Sequence, residues 1–171
     1  IKVIGFTIDG RIVRGRNELS IGIDGQLNDL VSVADRTNLT TGVVSNLDSR
    51  YPNGDNNMNL IGAYAQHLLK SKNGKLVLND GLRLQTVSLN SVISDNSFFN
   101  FPFTEFKQKP VAVTGNAGLV FMPSDEFRFT SSLSSGFRAP NIDDAARIFE
   151  SSSATRRLVT PNPDINPEYT Y

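Results

Sequence analysis

Four carboxylates and one imidazole are the groups in this chain best suited to acid–base or metal chemistry, and their spacing argues against both. Asp143 and Asp144 are adjacent, with Glu150 and Asp164 further along the same segment. Paired acids can share a proton or hold calcium. Adjacent residues on an extended chain point to opposite sides, however, and no base or nucleophile accompanies these, so they read as solvated loop charges. Tyr51–Asn59 is rich in Asp and Asn but lacks the spaced ligands and closing glutamate of an EF-hand. His67 is the single histidine and there is no cysteine. Disulfides, thiolate zinc sites and cysteine nucleophiles are thereby excluded. Gly10, Gly15, Gly22 and Gly25 form no phosphate-binding pattern between a strand and a helix. The residues predict no enzyme and no cofactor.

Two other sets could bind. Ser97–Phe106 carries Phe98, Phe99, Phe101, Phe103 and Phe106. Exposed aromatic clusters mark binding surfaces, so Phe98, Phe99, Phe101 and Phe103 are candidate ligand contacts; the competing reading is that the segment packs on itself or anchors in an interfacial belt. Arg83, Arg128 and Arg138 are candidate contacts for a charged substrate or for a body filling an enclosed space. The favoured reading is that neighbouring carboxylates or water satisfy them. Lys plus Arg and Asp plus Glu both number 17, so no basic excess points to nucleic acid.

The elements that carry these residues show period-two alternation, the mark of strands with two unlike faces. In Leu19–Val33, Leu19, Ile21, Ile23, Leu27, Val31 and Val33 alternate with Ser20, Gly22, Asp24, Gln26 and Asn28. Leu76–Gln85, Val111–Phe121 and Phe127–Arg138 repeat the pattern, and in the last Phe127, Phe129, Leu133 and Phe137 oppose Arg128, Thr130, Ser132, Ser134 and Arg138. Arg83, Arg128 and Arg138 all fall on the polar parity. Ile1–Val13 and Asn59–Lys70 are weaker strands, His67 lies where both parities are mixed, and a seventh strand begins near Pro167. A short helix is expected within Asp143–Glu150.

Connections alternate in length. Arg14–Asn17, Ser71–Gly74 and Pro123–Glu126 are tight and rich in turn residues, whereas Asp35–Met58, Asn90–Lys109 and Pro140–Asn166 are long. Loops above ~15 residues are uncommon in compact domains. Outer-membrane barrels, with short turns at one end and long loops at the other, account for the pattern. Strands of ten or more residues match the ~9–11 that a tilted membrane-spanning strand needs. Phe121, Phe127 and Phe129 bracket one tight turn, where an aromatic girdle would sit. No run of ~18 apolar residues and no signal-peptide pattern is present. The chain opens on Ile1 and ends on Tyr171 within a strand, which reads as a fragment. The expected fold is therefore all-β: an antiparallel up-and-down meander of about seven strands, part of a transmembrane outer-membrane β-barrel.

From about Leu19 onward the chain resembles the barrel of TonB-dependent receptors, of the kind common in Bacteroidetes-like bacteria. The resemblance is carried by Ser135-Gly136-Phe137-Arg138-Ala139-Pro140-Asn141-Ile142-Asp143-Asp144 and by Pro161-Asn162-Pro163-Asp164-Ile165-Asn166-Pro167-Glu168, with support from Ser49–Gly54, Leu82-Arg83 and Phe101–Glu105. It implies that residues 1–171 are part of a plugged barrel of about 22 strands, with the plug domain itself absent from this sequence. It further implies a location in the bacterial outer membrane, contact with lipid, and uptake of a scarce small ligand (a siderophore, corrinoid, glycan or peptide). The barrel's own plug would link it to the TonB complex, and Arg83, Arg128 and Arg138 would face the lumen or that plug. The competing class is a soluble β-sandwich that binds carbohydrate on Phe98–Phe103.

Overall fold

The computed structural model describes all residues except 48–50, 52, 97–99, 147–148, 153–156, 160–161 and 163; of residues 145–146, 149–152 and 157–159 it describes the backbone only. In chain order the elements are β1 (Lys2–Arg14), β2 (Asn17–Ser32), β3 (Ala34–Thr37), β4 (Val44–Leu47), β5 (Gly54–Lys70), β6 (Leu76–Val92), β7 (Glu105–Gln108), β8 (Val111–Phe121), β9 (Phe129–Ser134), β10 (Gly136–Arg138), α1 (Ile142–Ala146), β11 (Phe149–Ser152), β12 (Arg157–Val159) and β13 (Glu168–Thr170).

Every described pairing is antiparallel, and β1-β2-β5-β6-β8-β9 neighbour one another in chain order. β7 and β8 are one strand interrupted before Pro110. Both pair with β6, and Val87 N–H donates to the Pro110 carbonyl at 3.0 Å in between. Proline has no N–H to return, so the ladder skips a rung there. β9 and β10 are likewise one strand broken at Ser135. Its N–H still donates to the Gly115 carbonyl at 2.8 Å, while its hydroxyl replaces its carbonyl as acceptor for Gly115 N–H at 2.9 Å. β10 then pairs with β13. Joined this way, the chain is an up-and-down meander of six long strands and the short β13.

The alternation becomes two faces. One row of directly opposed residues is Ile8–Ile23–Ala63–Leu84–Val113, and another is Ile12–Leu19–His67–Asp80–Ala117–Leu133. This apolar face is bare: Leu82 is 67%, Val113 66% and Leu133 79% exposed. A β-sandwich would cover such a face with a second sheet, and among the described residues none does so. The belt also runs obliquely to the strands. The row Ile4–Leu27, apolar in β1 and β2, continues as the polar Asn59–Ser88 in β5 and β6, while the bottom of the belt in β8 lies at Phe121, opposite Phe129. A level apolar band crossing the strands obliquely is what strand tilt in a closed barrel produces. The eleven residues of β8 extend about 36 Å at ~3.3 Å each; tilted by about 45°, they cover the ~25 Å apolar band of an outer-membrane barrel.

The tight ends follow from turn chemistry. Gly15 (φ 59°) links β1 to β2 and Gly74 (φ 71°) sits between β5 and β6, both in the left-handed region that costs glycine least.

The long connections depart from expectation. β5 begins at Gly54 and β6 runs on to Val92, so both strands rise above the apolar belt. There water or loops meet both faces and period two is no longer enforced. The first long loop contains the β3–β4 hairpin and the third contains α1 and the β11–β12 hairpin. The expected short helix is Ile142–Ala146, and β11 takes up Phe149–Ser152. What interior the chain has lies at this upper end, on the polar face: Leu89 and Phe106 are buried, with Met58, Ile142 and Ile165 packed against them.

Candidate functional site

The candidate site is the polar face, and Arg83 is its centre. The side chain leaves β6, crosses β5 and reaches Asp24 on β2, both terminal nitrogens donating to the two carboxylate oxygens at 2.6 Å. Its Nε donates to Gln85 Oε1 at 2.9 Å. The crossing exists because β5 offers glycine at that point. Gly62 stands opposite Asp24 on one side and Gln85 on the other, and a Cβ there would lie 2.3 Å from Arg83 Nη2. Tyr64 lies over Gly22 in the same way, its ring 2.6 Å from where a Cβ would be. Arg83 is thus held by a carboxylate, as one of the two sequence readings allowed.

Arg138 is also committed. Its Nη1 donates to Glu168 Oε2 at 3.1 Å and its Nη2 to Asp144 Oδ2. Asn141 and Asp144 cap α1 reciprocally: Asp144 N–H donates to Asn141 Oδ1 at 2.9 Å, and Asn141 N–H to Asp144 Oδ2 at 3.2 Å. This is the geometry of a capping box built from Asn and Asp. Phe137 packs on Tyr169, ring centroids 5.3 Å apart. The two sequence motifs are therefore halves of one joint between β10, α1 and β13.

Residues 4–171 match the family described as TonB dependent receptor-like, beta-barrel. The chain belongs to this family. Among solved structures, Copper transporter OprC shares the fold with a TM-score of 0.69 at 15% identity, over 84% of this chain and 22% of that one. The present chain thus spans less than a quarter of that protein, and likeness at this identity speaks for the fold alone. No curated protein matches.

In a TonB-dependent receptor barrel the bare apolar face is the lipid side and the polar face the lumen side. The third candidate arginine does not join the other two. Arg128 precedes β9, which starts at Phe129, and is exposed among the turn residues at the lower rim. The alternation places it on the lumen parity, but the ladder ends first. Arg11, not singled out by the sequence, is the lumen-face arginine of β1 and pairs with Glu18 at 2.6 Å.

Of the aromatic candidates, Phe98 and Phe99 lie outside the described residues. Phe101 and Phe103 stack on each other at 5.7 Å and are half-buried, while Phe106 is 4% exposed inside the upper cluster. The described part of this loop packs on itself and on the wall, in place of an open aromatic platform. Gln108 Nε2 fixes the far leg of the third loop by donating to the Ile165 carbonyl at 2.6 Å.

Of the acidic candidates, the side chain of Glu150 lies outside the described residues and Asp144 is structural. Asp144 caps α1 and meets Arg138, and no group of metal-ligating side chains is present among the described residues. His67 falls on the lipid parity near the lower end, 3.1 Å from Asp80 and 3.2 Å from Asn17. Sequence reasoning missed Asp24, Gly62 and Glu168 as partners. Asp24 carried a signal, since an acid on a lumen parity needs a cation, but nothing local says which strand supplies it.

Proposed function

We propose that this chain is a lipid-embedded wall segment of an outer-membrane receptor that takes up a scarce ligand with energy delivered through TonB. The observation that carries this reading is the uncovered apolar face on tall, tilted strands whose other face is polar and internally ion-paired. Water would penalise such a face at about 25 cal/mol per Å²; hydrocarbon does not. Membership of the receptor barrel family supports the same reading. The receptor's own plug and, through it, the TonB complex are the partners, and the ligand belongs to the siderophore, corrinoid, glycan or peptide classes. Copper, which the OprC name carries for that protein, is a further class to include in the test.

The experiment is nutritional and genetic. A strain lacking the full-length parent is grown with each class of ligand limiting, beside a strain lacking TonB. The proposal expects one class to fail in both strains and to be restored by the parent gene. Loss of no nutrient, or loss of one that does not depend on TonB, contradicts it.

A further inference from the structure

Four glycines of the polar face share one feature. Gly22, Gly62, Gly81 and Gly136 each have a side chain of the following strand where a Cβ would stand: Tyr64 at 2.6 Å, Arg83 at 2.3 Å, Asn116 at 2.8 Å and Thr170 at 2.6 Å. All four side chains lean toward the preceding strand and lie flat along the wall. At Gly62 the consequence is electrical. The glycine is buried beneath Arg83, and only across that gap can the guanidinium meet Asp24 squarely. Arg11 with Glu18, and Arg138 with Glu168 and Asp144, leave no lumen-face strand arginine unpaired among the described residues.

We infer that Gly62 is a positioning residue: it lays Arg83 across β5 onto Asp24, so that the lumen wall from β2 to β8 presents hydrogen-bonding groups and a neutralised ion pair to a passing solute at this level, and the carboxylate of Asp9, in the same cross-strand row on β1, is left as the charge that solute meets. The inference rests on the polar face lining the lumen. A ligand passing here meets Gln85, Thr114, Asn116 and Tyr64 as neutral donors and acceptors. Gly62 has ordinary extended backbone, so a larger residue is tolerated by the strand; what must move is the flexible end of Arg83.

The test reads local potential without needing the ligand. In the full-length parent in outer membranes, Thr114→Cys, directly opposite Arg83, is reacted with an anionic sulfonatoethyl and a cationic trimethylammonioethyl methanethiosulfonate. Ser132→Cys, on the same face further along the wall, is the control. Gly62→Val should free the guanidinium and raise the anionic-to-cationic rate ratio at position 114 about five-fold, the size expected for a change of order kT in local potential. Arg83→Gln should lower the ratio by leaving Asp24 alone. Gly62→Ala is the milder variant should valine impair assembly, which heat-shifted gel migration reports independently. An unchanged ratio in an assembled Gly62 variant would overturn the inference, as would protection of Thr114→Cys from both reagents in every background. Uptake is scored separately. A shifted ratio in a parent that transports nothing would leave the role of Gly62 standing and remove the receptor reading.

Discussion

Arg138 and Arg128 are ten residues apart, share a parity and are both exposed, yet the structure gives them unlike work. Arg138 ties β10 to α1 and to β13 through Asp144 and Glu168; Arg128 makes no ion pair among the described residues. Arg138→Ala should therefore lower the unfolding midpoint of the assembled barrel measurably, whereas Arg128→Ala should leave it unchanged. Thermal loss of the compact gel band reads both. The Asp24–Arg83 pair is one-third exposed at each end, which places it between a surface bridge and a buried one. Removing either partner should cost roughly 1–2 kcal/mol, less than for a fully buried pair because water still screens it. The double variant Asp24→Asn/Arg83→Gln should recover part of that loss, and a urea titration of the reconstituted receptor gives the coupling directly. Additive single losses would mean the two groups do not act as a pair.

At the level of elements, the membrane and the lumen wrote the legible part of the sequence. Wherever one face meets lipid and the other water, side chains must alternate, and β2, the lower part of β6, β8 and the β9–β10 strand were visible for that reason, β1 more weakly. Above the belt the constraint lapses. Val87, Leu89 and Phe106 turn apolar toward the interior there, so the upper halves of β5 and β6 were hidden, as were β3, β4 and β7. The joint at Arg138 was partly legible as a motif, but the Asp24–Arg83 contact was not. It depends on the register between β2 and β5, set across a long loop on which local sequence is silent. The lipid assignment makes its own prediction. Leu84→Arg, in the central row of the apolar face, should cost ~2–4 kcal/mol in folding into vesicles, and the same change at Phe121, at the rim, ~0–1 kcal/mol. Equal penalties at both sites would contradict a membrane-spanning belt. A smaller effect is expected at the strand break: Ser135→Ala deprives Gly115 N–H of its acceptor and should cost about 1 kcal/mol in the same assay.

For the whole molecule the question is closure. Among the described residues β1 pairs only with β2, and β13 only with β10, so the sheet has two open edges. Unpaired backbone groups at an edge are not tolerated in hydrocarbon, so the remaining strands of the receptor barrel must cover both. Seven strands are about a third of the ~22 in transporters of this class. The wall is thin by design: its stability comes from neighbouring strands and surrounding lipid, with only the small cluster around Leu89 and Phe106 resembling a soluble core. The measurement that tests this account most directly is made on the full-length parent. Outer membranes are separated from soluble fractions and run on a denaturing gel with and without boiling. A closed lipid-embedded barrel predicts a band in the outer-membrane fraction that migrates as compact when unheated and as extended after boiling. A parent recovered in the soluble fraction, with one mobility under both conditions, would contradict it.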